Sequence, residues 1–372
     1  MYLKNAWYVA AWSDEVSRDM MARTICEEHV LLYRKENGDP VAIGNMCPHR
    51  FAPLHMGKLI GDDVQCPYHG FRFGETGRCV HNPHVGGQIS PAMKVKAYQA
   101  VERYEMIWIW MGDPALADDT TIPDFSCHND PSFVNVHGVI EMAANYELIS
   151  DNLLDLTHAE FVHEGLLSSE AITISKLDAP ESGSTVWANR WGPDGAPAPV
   201  WGQLIDMSLG GGADQKVDHW ANMRWDAPAH LLLDVGVVPP GKKRSEGVWV
   251  YGTDIITPID KTHSYYFWAV SRNYEIDRTE LCEVWKASID GAFVHQDQPI
   301  IEAQQRMIGD RDVDDMRPVA IPADISGGKA RRMLRRLIAR QEAGEIARPG
   351  HRPLKDLIPE SMETANPVLP AV

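Results

Sequence analysis

Two short segments, Cys47-Pro48-His49 and Cys66-Pro67-Tyr68-His69, with sixteen residues between them, constrain this chain more than any other feature. Each pairs a thiol with an imidazole. Each also follows a strand-like run and precedes a turn or strand, which places it at a loop tip. Two thiolates and two imidazoles can hold a tetrahedral zinc ion, or a two-iron, two-sulfide cluster with cysteines on one iron and histidines on the other. Zinc patterns usually take paired cysteines from one segment and paired histidines from the other. Here each segment supplies one of each, and that distribution favours the cluster. Neutral imidazoles in place of thiolates remove negative charge and raise the potential, so such a cluster accepts electrons readily. The second ring nitrogen of each histidine is left to donate a hydrogen bond or to couple an electron to a proton. Cys79, His55, His81 and His84 lie outside the pattern and read as ordinary residues of a small domain.

The surrounding texture supplies the sheet that two converging tips require. Val30–Tyr33, Val41–Ile43, Phe71–Phe73 and Met106–Trp110 are short β-like runs punctuated by turn residues, which predicts a small all-β module. Gly112–Pro123 has the composition of a connection, so a boundary falls near 120. Beyond it the chain reads as α+β, with an antiparallel sheet and flanking helices. Helical stretches are expected over 147–164 and 279–307, and strands over 187–191, 231–238, 247–256 and 263–270. An amphipathic helix over 329–345 carries a basic, solvated face. The division is therefore 1–120, 121–346, and a proline-bearing tail at 347–372. No internal repeat is evident.

Charge and apolar patterning exclude several function classes. The formal charge of −17 disfavours nucleic acid and anionic membrane surfaces. The longest apolar run, Ala6–Trp12, is far short of the roughly 20 residues of a bilayer span. Six scattered cysteines in 372 residues do not make a disulfide framework. The expectation is a soluble, cytoplasmic protein with metal-binding thiolates.

A second constellation lies in Asp151–His163, where Asp155, His158 and His163 sit in a helical stretch. Histidines five apart point about 140° apart on a regular helix, so both can reach one ion only across a widened or broken turn. Asp155 and His158 share a face, which lets the carboxylate orient that imidazole or face another subunit. Asn152 has two readings, a side chain that tunes the site or gates substrate, and an amide that supports the helix. The third metal ligand is open on spacing alone among Asp290, Asp297 and Glu302.

Taken together, Cys47-Pro-His-Arg50, Cys66-Pro-Tyr-His-Gly70 and Asp155-x-x-His158-x4-His163 resemble the Rieske non-haem iron oxygenases. Asn5–Ala11, Cys47–Leu54, Trp108–Asp118, Asp151–His163 and Phe267–Tyr274 look like the oxygenase components of vanillate and dicamba O-demethylases. The resemblance implies a Rieske [2Fe-2S] cluster on Cys47, His49, Cys66 and His69, and mononuclear Fe(II) on His158, His163 and Asp297. It implies a homotrimer in which Asp155 bridges His158 to a cluster histidine of the neighbouring subunit, His69. It also implies O2-dependent dealkylation of an aromatic substrate with release of an aldehyde. The pocket positions that clasp a carboxylate in dicamba-type enzymes appear here as Leu233 and Asp254. A neutral aryl ether or anilide suits these better, which gives N-dealkylation equal standing with O-demethylation.

The chain has no dinucleotide fingerprint, since Gly210-Gly-Gly212 lacks the spacing, and no plant-type ferredoxin cysteine run. Electrons from NAD(P)H are therefore expected through a separate flavin reductase, with or without a ferredoxin. The rival readings are ring hydroxylation at the same iron, a Rieske electron-transfer protein, and a zinc-stabilised binding module.

Overall fold

The computed structural model describes residues 1–163, 167, 169–346 and 349. The N-terminal part is all β. A three-stranded sheet joins Trp7–Trp12, Met106–Trp110 and Ala100–Arg103, and two four-stranded sheets hold the segments between 21 and 98. The larger part is built on an eight-stranded sheet, antiparallel throughout. Its order runs Val134–Met142, Ser264–Arg272, Val248–Pro258, His230–Val238, Val217–Asp226, Thr185–Gly195 and Leu177–Asp178, with Glu181–Ser182 pairing beside Leu177–Asp178 on Thr185–Gly195. Among the described residues no helix is long and apolar enough to cross a membrane.

The run Trp7–Trp12 is buried at every residue, because both faces of the strand are covered, as a continuous apolar run requires. Trp7, Val9 and Trp12 share one cluster with Trp108 and Trp110 and with Leu232, Ile255 and Phe267 of the large sheet. Hydrogen bonds also cross the seam. Thr257 Oγ1 donates to the Val9 carbonyl at 2.7 Å, and Trp12 Nε1 donates to the Gly138 carbonyl at 2.9 Å. The two parts therefore share a core.

The expected helix over 147–164 is broken. Tyr146–Leu154 ends at Asp155, whose backbone (φ −117°, ψ 86°) leaves the helical region. A 3-10 turn at Leu156–His158 and a short helix at Ala159–Val162 follow, and residue 164 lies outside the described residues. The helix expected over 279–307 is observed as Glu280–Ile289 and Gln298–Ile308, joined by a π-helical stretch at Asp290–Asp297.

The strands Val134–Met142 and Val217–Asp226 and the helix Pro199–Leu209 were not expected from the sequence. Val217–Asp226 is buried at every residue yet carries Asp218, His219, Asn222, Arg224 and Asp226. From Ala221 to Asp226 apolar and polar residues alternate, yet both faces are buried, because the polar side chains are paired inside the sheet, as in the 2.7 Å Arg224–Asp226 ion pair. The amphipathic helix is observed at Ile325–Glu342. Its basic face is solvated at Arg332, Arg336 and Arg340, as expected, but not at Arg331 and Arg335. Arg335 contacts Glu147 at 2.8 Å and Asp312 at 3.0 Å, and Arg331 pairs with Asp151. The tail lies outside the described residues except for Pro349.

Candidate functional site

Cys47 and Cys66 open two loops built alike. The Phe51 N–H donates to the Cys47 carbonyl at 2.9 Å, and the Gly70 N–H donates to the Cys66 carbonyl at 3.2 Å. Each loop closes four residues on with a left-handed residue, Phe51 (φ +61°) and Gly70 (φ +73°). The prolines after each cysteine stiffen the tips. Both thiols are buried, and burial, with Cys66 alongside, pushes the Cys47 thiol up to about 11. The rings of His49 and His69 stand 4.5 Å apart. Nδ1 of each is buried with no hydrogen-bond partner among the described residues. Two orphaned imidazole nitrogens facing two buried thiols are a cost that metal ligation removes.

Among the described residues, three metal-donor atoms come within 4.8 Å of one another only at His158, His163 and Asp297. No three of the four donors at the loop tips meet that limit, although the two thiols lie side by side and the two imidazole rings are 4.5 Å apart. Such a spacing fits a two-metal cluster better than a single tetrahedral zinc with bonds of about 2.0–2.3 Å.

At the second constellation, His158 ends the 3-10 turn and His163 follows the short helix Ala159–Val162 with its backbone outside the helical region, while the π-helical stretch brings Asp297 to both rings. Asp297 Oδ2 lies 3.2 Å from His163 Nε2, and Asp297 Oδ1 lies 3.6 Å from His158 Nε2. The opposite ring nitrogens are held by hydrogen bonds. His158 Nδ1 meets the Asp155 backbone carbonyl at 2.6 Å, and His163 Nδ1 meets Gln296 Oε1 at 2.8 Å. A proton on each Nδ1 leaves each Nε2 lone pair aimed at Asp297, the tautomer a metal ligand requires. Gln296 and Asp297 are adjacent in sequence yet reach opposite edges of one imidazole. Asn152 Nδ2 donates to Asp297 Oδ1 at 3.3 Å and so touches the triad directly.

Asp155 differs from the expectation that its carboxylate orients His158. That contact is made by its backbone carbonyl. Its carboxylate caps the following turn, accepting from Thr157 N at 3.1 Å and Thr157 Oγ1 at 2.8 Å, with Arg190 at 3.9 Å. The backbone turns at Asp155 to end the helix, and this swings the carbonyl, not the side chain, toward the ring. Of the two other acids, Asp290 opens the π-helical stretch and Glu302 bonds the Ala143 N–H at 3.1 Å. Neither joins the triad.

A cavity lies against the triad, lined by Leu153, Leu156, Met223, Leu233, Val250 and Trp268 among other apolar groups. Leu233 and Asp254 both face it, as does Asn152. Asp254 is buried, and burial raises its carboxyl to about 7 although Tyr266 Oη donates to it at 2.6 Å. No Lys or Arg lines this cavity among the described residues.

Two side chains of the site escaped the sequence reading. Gln296 was visible beside Asp297, but only the π-helical widening turns it toward His163. His219 lines the cavity from a strand whose mixed polarity hid it.

Residues 6–99 match the Rieske [2Fe-2S] domain, and residues 142–340 match the vanillate O-demethylase oxygenase C-terminal domain. The chain is 38% identical to the chloroacetanilide N-alkylformylase oxygenase component of Rhizorhabdus wittichii, over 90% of this chain and 95% of that protein. It is 35% identical to the dicamba O-demethylase oxygenase component of Stenotrophomonas maltophilia, over 90% and 98%. A crystal structure of dicamba monooxygenase with non-heme iron and dicamba superposes with a TM-score of 0.81 at 34% identity, covering 92% of this chain and 99% of that one. With its paired Cys-His loop tips ahead of a His158–His163–Asp297 triad, the chain belongs to the Rieske oxygenase components that carry a vanillate O-demethylase-type C-terminal domain.

Proposed function

We propose that this protein is the terminal oxygenase of a multicomponent monooxygenase that removes an alkyl group from the oxygen or nitrogen of an uncharged aromatic substrate. The observation that carries this reading is the convergence of His158, His163 and Asp297 on the wall of an apolar cavity. An electron carrier would need no such cavity. For a methyl ether the overall reaction balances as Ar–O–CH3 plus O2, two electrons and two protons, giving Ar–OH, formaldehyde and water. The same balance with nitrogen in place of the ether oxygen describes N-dealkylation.

Cys47, Cys66, His49 and His69 would hold the [2Fe-2S] cluster, and His158, His163 and Asp297 the mononuclear iron. Bound there, the two groups supply one-electron transfer and reduction of O2. The chain's own residues do the rest. The Asp155 carbonyl and Gln296 fix both imidazoles with Nε2 toward the metal. Asn152 steadies Asp297 through its 3.3 Å hydrogen bond. Leu233 and its apolar neighbours exclude water from the cavity. Asp254, with its carboxyl raised to about 7, is protonated over part of the neutral range and then offers a hydrogen bond to an uncharged oxygen. A carboxylate ligand would meet no Lys or Arg on the described walls.

The electrons come from a separate reductase, with or without a ferredoxin. We place the boundary between the two working parts near residue 120. We take the assembly as a homotrimer that brings the cluster of one subunit to the iron of the next, with the Asp155 carboxylate facing His69 of the partner subunit. Phe51 and Tyr68 are 71% and 66% exposed at the cluster tips, and apolar side chains there suit burial in such an interface. All six cysteines are unbridged, in keeping with a cytoplasmic setting.

The test is single turnover. Protein reduced anaerobically is mixed with O2 and a panel of methoxybenzenes, methoxybenzoates and alkylated anilides, and aldehyde is scored together with phenol or amine. Stoichiometric aldehyde from an uncharged member is expected. Hydroxylation of an arene with no aldehyde would overturn the reaction and leave the metal assignments standing.

A further inference from the structure

His219 has no part in the chemistry above, yet it is buried in the cavity wall. It lies on Val217–Asp226, whose alternate residues His219, Ala221 and Met223 all line the cavity, so the strand's period of two aims the imidazole inward. Ser169 Oγ lies 3.3 Å from Nδ1. Nε2 is buried and has no hydrogen-bond partner among the described residues. Burial pushes this imidazole down to about 3, so it is neutral at physiological pH. With Nδ1 engaged, a neutral ring has one position left, at Nε2, to donate or accept a single hydrogen bond. A buried polar atom in this condition is costly unless a ligand meets it.

The position of His219 sets how long that ligand must be. Its ring is 5.9 Å from Trp201, which is 6.0 Å from Trp285. From Trp285 the cavity wall continues along one helix through Ile289 and Phe293 to Asp297. The sheet register agrees: Trp225 pairs with Leu231 and Leu231 with Asp254, whose partner Tyr266 stacks on Phe293 near Asp297, whereas His219 lies six residues farther along its strand, about 20 Å at about 3.3 Å per residue. His219 therefore marks the end of the cavity remote from the triad.

We propose that His219 anchors the far end of an elongated, uncharged substrate. Its Nε2 makes one hydrogen bond to an amide, carbonyl or hydroxyl group carried opposite the alkyl group that is removed. The proposal rests on the reading of His158, His163 and Asp297 as the reacting end. It deepens that reading by specifying a two-ended substrate, apolar in the middle and hydrogen-bonding at the tail. A charged tail would be buried beside a neutral imidazole with no counterion on the described walls.

Calorimetric titration of the anaerobic holoprotein tests this without turnover. The probes are 4-methoxyacetanilide, its apolar isostere 4-isobutylanisole, and 4-methoxyphenylacetate as the charged tail. The wild-type protein should bind the acetanilide most tightly. His219→Leu should weaken acetanilide binding about tenfold, the worth of one ordinary hydrogen bond, and leave isobutylanisole within about twofold. His219→Gln, whose amide still offers a hydrogen bond, should recover part of the loss. An equal effect on both uncharged probes, no effect on either, phenylacetate binding as tight as acetanilide, or a wild-type protein that binds no aryl ether would each overturn the anchor. Because no aldehyde is read, a selective loss of acetanilide affinity in a protein that releases no aldehyde would sink the dealkylation reading and leave the anchor intact.

Discussion

Replacing Asp254 by Asn should make the protein more stable, by an amount that depends on pH. Burial raises this carboxyl from 3.8 to about 7, against the opposing hydrogen bond from Tyr266. A shift of about three pH units is worth about 4 kcal/mol between the two protonation states. The sign follows from the proton count. Above the unfolded-state value the unfolded chain releases this proton while the folded chain keeps it, so folding carries a penalty. The penalty is absent below about pH 4, grows through the window from about 4 to 7, and is constant above that. Asparagine cannot ionise, and its amide oxygen can still accept the Tyr266 hydroxyl, which donates at 2.6 Å. The variant should therefore match wild type near pH 4, gain about 2 kcal/mol near pH 5.5, and gain at most about 4 kcal/mol at pH 8. Urea unfolding of the holoprotein at these three pH values, followed by tryptophan fluorescence, gives the differences directly. A gap independent of pH, or a variant less stable than wild type at pH 8, would refute the claim that desolvation governs Asp254.

Four other perturbations follow from the same structure. Gln296→Leu removes the 2.8 Å partner of His163 Nδ1; iron affinity at the mononuclear site should fall about 10- to 100-fold, measured by iron content against labile sulfide, while the cluster's visible absorbance is unchanged. Gly57→Ala drives a Cβ into the Gln65 carbonyl oxygen, one residue before Cys66, so cluster loading per polypeptide should drop sharply while tryptophan fluorescence stays native-like. Arg335→Leu leaves Glu147, now 9% exposed, without its 2.8 Å partner; a loss of about 2 kcal/mol is expected, smaller than for a fully buried pair because Arg335 is half-buried, and a thermal melt measures it. Asp155→Asn should keep both metal sites loaded yet slow electron passage from cluster to iron in a single-turnover experiment, and normal passage would remove the bridging role.

The cluster tips were legible because their information is local. A cysteine, a proline and a histidine within a few residues define each tip, and the left-handed residues that close the loops follow within four positions of each cysteine. The His158 and His163 pair was legible for the opposite reason. Their spacing conflicts with a regular helix, and the structure meets the conflict by setting His158 at the end of a 3-10 turn and His163 just past a four-residue helix, where the backbone (φ −106°, ψ 37°) leaves the helical region. The third member was ambiguous on spacing because Asp290, Asp297 and Glu302 all lie on one long helical stretch. The π-helical widening separates them, presenting Asp297 to both imidazoles and turning Glu302 to the Ala143 N–H. The carboxylate of Asp155 was expected to orient His158, and its carbonyl does so instead. Side-chain spacing carries no information about where a terminating backbone points its oxygen.

Composition and motif by themselves determined that this chain pairs two thiols with two imidazoles on a small β module, and that a helical stretch bearing two closely spaced histidines belongs to a second, α+β part. Only the tertiary structure decided what the cavity presents. The family resemblance had already put Asp254 at the pocket, but His219 sits on a strand buried on both faces, where a polar side chain marks neither face as the cavity side, so it does not stand out in the sequence. Their neutrality also comes from the fold. A carboxyl raised to about 7 and an imidazole lowered to about 3 are products of desolvation, and desolvation exists only once the sheet and its helices have closed around them.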